Sequence, residues 1–382
     1  MSLIFLDTPQ IGLLEEKRRT DYARYRSFCN AWKQRGCTLV FTWTQAGELT
    51  RYADAPRREG RSEVLADLAP IRTDFDPMHG ESIGPRILMH REIMRALAER
   101  GLITAAVIGA DRLAEWTDML PGRLTVGHTD FLRMLMENED YRRLESQMYD
   151  AARFAAAAMK SEGQSRRNVR VQDVPGTPVP PEIASRHRAE IENALRRLRE
   201  ESGLGNLPPM TEEMLSTVRA FSLGFADRAA KVGPREALLE QLPVARQTDA
   251  ERLKLTTDEL VRSWFFEFQI RFVVGKLLGA PEHQQDTFAR ALEFSDCPGS
   301  WLQWELELCV RRGTTEPRPS HQHDAERLAY LPYVDLLFTD RQMAQFVEQV
   351  RNDQSTPKGI RAAPPPVAIS NSLTALERAL GF

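Results

Sequence analysis

The chain lacks the marks of a disulfide framework and of a cysteine metal site. Its four cysteines, Cys29, Cys37, Cys297 and Cys309, form no C-x-x-C pair, so they read as reduced thiols in a cytoplasmic protein. A long apolar run is missing as well. The most apolar stretch, Trp264 to Leu278, is broken by Glu267, Arg271 and Lys276, whereas a bilayer-spanning helix needs roughly 20 largely apolar residues, so no membrane segment is expected. The opening MSLIFLD carries no basic leader and reads as a strand rather than a signal peptide. Positive charge is not in excess: 51 Lys and Arg against 54 Asp and Glu give a formal net charge of −3. That denies the molecule the overall basic field of a nucleic-acid-binding domain and leaves such contacts to local patches. No internal repeat is visible.

With 382 residues, of which 42% are apolar and 27% charged, the composition is that of an ordinary globular protein large enough for two structural units. Leu3 to Leu6 and Thr38 to Trp43 are compact apolar runs that read as buried strands. Between them Tyr22, Tyr25, Phe28 and Trp32 recur at three- and four-residue steps, one stripe of a helix. Strand, helix, strand predicts a parallel α/β unit.

From about Arg91 to Arg312 the periodicity is helical, which predicts a large helical block. Thr129 and Asp130 open an amphipathic helix through Met134, Met136, Leu144 and Met148, and the Pro/Gly-rich stretch Val174 to Pro181 reads as a linker. A further helix follows from Glu182 to Glu201. Thr256 and Glu259 have capping-box spacing ahead of an aromatic helix, in which Trp264, Phe265, Phe266, Phe268 and Phe272 are expected to be core rather than a base-stacking platform. From Asp324 the α/β pattern returns, with a short helix to Tyr330, a strand Val334 to Phe338 and a helix Arg341 to Val350. Asn352 to Pro366 read as mobile and Ser372 to Leu380 as a small terminal helix. The expected division is therefore 1–58 and 313–351 as two parts of one α/β domain, 59–312 as a helical insertion with a linker near 163–181, and 352–382 as a flexible tail.

Four acids fall where strands end or helices begin: Asp7, Glu48, Asp324 and Asp340. The carboxyl ends of parallel strands share one edge of a sheet, so acids from distant segments can converge there. Three or four carboxylates in one crevice repel, and a hard divalent cation, Mg²⁺ or Mn²⁺, relieves that repulsion, since oxygen-only donors suit such ions. Asp335, five residues before Asp340 and roughly 16 Å away at strand rise, lies at the wrong end.

The stretch LIFLDT, Leu3 to Thr8, resembles the opening strand and first aspartate of PIN-domain nucleases. TWTQAGEL, ending in Glu48 and Leu49, is similar to the family's second acidic position. HDAERLAYLPYVDLLFTDRQM, His323 to Met343, resembles its final helix, strand and acidic turn. The resemblance covers about a quarter of the chain. It implies a PIN-like parallel sheet sandwiched by helices, in which Asp7, Glu48 and Asp324 hold a Mg²⁺ or Mn²⁺ ion, Asp340 assists, and Thr8 and Thr339 support them. It also implies endoribonuclease activity on RNA. Two departures stand out: the long separation of Glu48 from Asp324, and the adjacency of Thr339 and Asp340, where many members carry an intervening residue.

Each residue has a plainer reading. Asp324 and Asp340 can serve as helix N-caps. Asp7, directly after an apolar strand, calls for a partner or a metal. His321 and His323 form an H-x-H pair best placed in a solvated loop, since no further ligand lies nearby to complete a zinc site. Lys17, Arg18, Arg19, Arg24 and Arg26, and separately Ser165 to Arg170, can contact phosphates or serve as solvated faces. The alternatives to a nuclease are a catalytically silent PIN-like scaffold or nucleic-acid-binding protein working through its helical block, which could also bind a protein partner, and a helical interaction protein whose terminal acids are caps.

Overall fold

A computed structural model describes residues 2–50, 55–74, 86–124, 212–240, 257–312, 319–370 and 372–382, with isolated positions between 181 and 196 and at 247. The chain forms two compact units: Met1–Lys160 with Ile270–Phe382, and Ser161–Gln269.

The first unit is built on a six-stranded mixed sheet of order β4-β3-β2-β1-β5-β6. Its strands are β1 (Ser2–Phe5), β2 (Cys37–Phe41), β3 (Ile71–Thr73), β4 (Gly122–Leu124), β5 (Leu336–Thr339) and β6 (Val367–Ala368). The first strand pairs in parallel with β2 and β5, so the two distant chain segments meet at the centre of the sheet. Strands β3 and β6 extend it in parallel, and β4 closes one edge antiparallel to β3.

The helices of this unit are α1 (Thr8–Thr20), α2 (Tyr22–Gln34), α3 (Trp43–Thr50), α4 (Ala55–Asp67), α5 (Arg86–Glu99), α6 (Ala105–Ile108) and α7 (Ala110–Thr117). The smaller unit contributes α8 (Glu212–Val232) and α9 (Pro234–Leu239), and the division between units falls within α10 (Thr257–Leu278). The chain then adds α11 (Glu282–Ala291), α12 (Pro298–Arg312), α13 (Pro319–Leu328), α14 (Arg341–Arg351), α15 (Lys358–Ala362) and α16 (Leu373–Leu380).

Helices cover both sheet faces, which is why the central strands are apolar throughout rather than alternating. Ile4, Leu39, Phe41 and Phe338 join Leu14, Phe28, Trp32, Leu65 and Leu376 in one core. Phe5, Val40 and Leu337, one residue out of phase, join Leu88, Leu302, Leu328 and Val347 in the other. The α2 stripe packs as its spacing predicts through Tyr25, Phe28 and Trp32, whereas Tyr22 in the first turn is exposed.

Several expectations are corrected. Strands β3 and β4 belong to the sheet although they fall within 59–312, and α4, α5 and α12 from that same segment supply its cores. Three-residue strands are too short to show an alternation, and helical periodicity does not say what a helix packs on. The 352–382 tail is not a loose appendage: Ile360, Leu373 and Leu376 are buried, and β6 pairs with β5. His321 and His323 lie in α13, not in a loop, and His321 is buried. On α10, Phe266, Ile270, Val273 and Val274 are buried, but Trp264, Phe268 and Phe272 are exposed, so that helix has two faces. The helix expected from Thr129, the Met134, Met136 and Met148 stripe, the Val174 to Pro181 linker apart from Pro181, the Ser165 to Arg170 patch and the Thr256 cap lie outside the described residues, as do parts of the 182–201 helix. All four cysteines are free thiols. Among the described residues no helix is long and apolar enough to cross a membrane.

Candidate active site

The carboxyl ends of β1, β2 and β5 lie along one edge of the sheet, and the segments that follow or pack against them set the acidic groups there. Strand β1 stops at Phe5; two residues later Asp7 turns the chain into α1 and caps it, its Oδ1 accepting from the Thr8 N–H at 2.7 Å. Pro9, in the first turn of α1, suits that start, since no intrahelical donor is lost there. Gln45 holds the exit from β1 against the start of α3: its Oε1 accepts from the Thr42 N–H at 3.1 Å and its Nε2 donates to the Leu6 carbonyl. One turn further along α3 comes Glu48, whose Oε2 accepts from the Thr8 hydroxyl at 2.5 Å.

The third acid arrives from the far end of the chain. Asp324 sits inside α13 rather than at its start, because the helix begins at Pro319, so it is not an N-cap. Its neighbour one turn on, Arg327, is the centre of the site. Arg327 Nη1 lies 2.8 Å from Asp7 Oδ1 and 2.5 Å from Glu48 Oε2, and its Nη2 bonds Asp324 Oδ1. One guanidinium thus binds an oxygen of each of three carboxylates. Asp7 and Arg327 are only 6% and 5% exposed, and Asp324 is equally enclosed. In such a place an unpaired charge of either sign would be strongly destabilising.

Burial pushes the Asp7 carboxyl above its ordinary pKa and nearby Glu48 adds to the rise; Arg327 and the Thr8 N–H oppose it. Asp340 contributes a smaller repulsion to Asp7, which places it within electrostatic reach. Asp340 itself is exposed and caps α14, accepting from the Met343 N–H at 2.8 Å, so its plainer reading as an N-cap holds. Thr339 is buried in β5 opposite Ala368. Asp335 lies at the opposite end of the strands, where its side chain accepts from the Leu3 N–H at 2.7 Å.

The sequence reading missed three further residues at or beside this edge of the sheet. Asp74 follows β3 as Asp7 follows β1, and accepts from the Trp43 N–H and the Tyr330 hydroxyl, both at 2.9 Å. Full burial pushes its pKa up to about 6 against those bonds. Glu326 accepts from the Thr44 hydroxyl at 3.2 Å and lies 3.4 Å from His323. Arg327 was visible only as a spacing: three residues after Asp324, it must share that residue's helix face. In the basic run on α1 and α2, Arg18 pairs with Glu63 and Arg24 with Glu377, whereas Arg19 and Arg26 meet Glu15 and Asp67 only at 3.8 Å from exposed positions.

Among the described residues, no group of three or more carboxylate, histidine or cysteine side chains is arranged to hold a metal ion as it stands. The donor chemistry suits a hard dication, being all oxygen. The guanidinium occupies the oxygens such an ion would take. Comparison with known proteins adds no family: no family model, no curated protein and no solved structure matches the chain.

Proposed function

We propose that the chain is a divalent-metal-dependent, PIN-like nuclease, an endoribonuclease that hydrolyses RNA phosphodiester bonds with Asp7, Glu48 and Asp324 as its Mg²⁺ or Mn²⁺ ligands. One observation carries the reading. Three acids separated by up to 317 positions in sequence come within reach of a single cationic group at the carboxyl edge of the parallel central strands of a mixed sheet. Three carboxylates against one guanidinium leave a formal charge of −2, which a divalent cation would neutralise. When bound, such an ion lowers the pKa of a water and stabilises charge on the oxygens of an in-line displacement. The chain's own part is to fix the acids: Thr8 orients Glu48, the α1 N-terminus orients Asp7, and α13 presents Asp324. Asp340, within electrostatic reach of Asp7, assists from the rim.

The test is cleavage of single-stranded RNA by the purified chain in Mg²⁺ or Mn²⁺. Activity should stop with EDTA and fall roughly 100-fold or more in Asp7→Asn and in Asp324→Asn, with both variants still folded. Undiminished cleavage by both variants would defeat the proposal. A second reading, a catalytically silent scaffold or nucleic-acid-binding protein acting through its helices, is favoured by one feature, the engagement of all three acids by Arg327. It predicts no metal-dependent cleavage at all.

A further inference from the structure

We infer that Arg327 is an internal counter-cation that holds the acid triad together in the metal-free chain and competes with the divalent ion for its oxygens. The inference rests on the metal-dependent reading above and deepens it, since it says how the site is gated.

The argument begins with position. A surface arginine pairs loosely with what it meets, but Arg327 is enclosed, on a helix whose neighbouring Ala325, Leu328 and Ala329 are core residues. Its planar fork is therefore aimed by the helix rather than by chance, and charge-assisted bonds of this kind are the strong ones. The bonds go to Oδ1 of Asp7, Oε2 of Glu48 and Oδ1 of Asp324, two of which already accept from Thr8. Without a cation the three carboxylates would repel at close quarters in a buried crevice. With the guanidinium in place they are assembled with one oxygen of each already engaged, so an ion that uses those oxygens must take them from Arg327. The triad is then preorganised at the cost of weaker metal binding.

The competition is read directly as Mn²⁺ affinity, by calorimetric titration of the full chain, with no RNA present. Arg327→Lys retains the charge but replaces the planar fork, in which one nitrogen reaches Asp7 and Glu48 and the other reaches Asp324, with a single ammonium on a shorter stem. The expected result is Mn²⁺ binding roughly tenfold tighter than in the unaltered chain, abolished when Asp324→Asn is added. If Arg327→Lys binds no tighter, while Asp324→Asn still removes binding from the unaltered chain, the competition is refuted and the metal-dependent reading survives. If no form binds Mn²⁺, the metal-dependent reading itself falls. Arg327→Gln provides the same comparison should the lysine variant not fold. A glutamine variant that is stable only with Mn²⁺ present supports the inference, and one that Mn²⁺ does not stabilise overturns it.

Discussion

Two buried acidic stations in the larger unit are neutralised in opposite ways. Among the described residues Glu92 on α5 bonds neutral donors and no cation: its Oε1 accepts from the Gly299 N–H at 2.6 Å and from the Tyr333 hydroxyl, and its Oε2 accepts from the Ser300 N–H at 3.0 Å and the Ser300 hydroxyl at 2.5 Å. It thereby ties α5 to the first turn of α12, where two backbone donors would otherwise be orphaned. The approach is close enough that a Cβ at Gly299 would collide with the Ala329 carbonyl oxygen, so glycine is required there. The Asp7, Glu48 and Asp324 station instead leans on the one guanidinium of Arg327. Fixed neutral donors make a permanent fastening. A single side-chain cation makes one that a competing cation could replace, as inferred above.

Removing the fastening should have the largest effect. Glu92→Ala leaves four buried donors without an acceptor and should lower unfolding free energy by about 3 kcal/mol or more in denaturant titration, with Mn²⁺ binding by the folded fraction unchanged. A smaller stability loss would mean that the site relaxes or admits water.

Asp74 sharpens the comparison, because it is a buried acid at the end of β3 that is held by neutral donors. Tyr330 and the Trp43 N–H bond it, Glu326 repels it, and Arg91 lies within electrostatic range. Its pKa of about 6 in the folded chain lies above the usual 3.8. The folded state therefore keeps the proton longer than the unfolded one. The stabilisation is complete below about pH 4 and is lost as pH rises through 6, a difference on the order of 3 kcal/mol. Asp74→Asn should flatten that part of the pH–stability curve; an unchanged slope would show that Asp74 is not the titrating group.

The smallest effect is expected at the rim. Asp340→Ala should remove the α14 cap and lower stability by about 1 kcal/mol. RNA cleavage should fall less than in Asp324→Asn, and a loss as large would place Asp340 among the principal ligands.

Much of the fold was legible because it rests on local pattern. The runs LIF and TLVF announce strands buried on both faces, and the Tyr25, Phe28 and Trp32 stripe announces α2. Less could be read where an element is too short to carry a period, as with β3, β4 and β6, or where packing rather than composition orders the chain. Pro364, Pro365 and Pro366 suggest looseness, yet they lead into a strand that adds to the sheet edge.

The amino-acid sequence by itself determined that strands end in aspartates and that Asp324 and Arg327 share a helix face, since both follow from backbone periodicity. Only the tertiary structure decided which acids meet and what stands between them. Contacts across hundreds of residues depend on sheet order and on which side of the sheet each helix crosses. No local spacing encodes that Arg327 would reach Asp7 and Glu48 as well as the aspartate beside it.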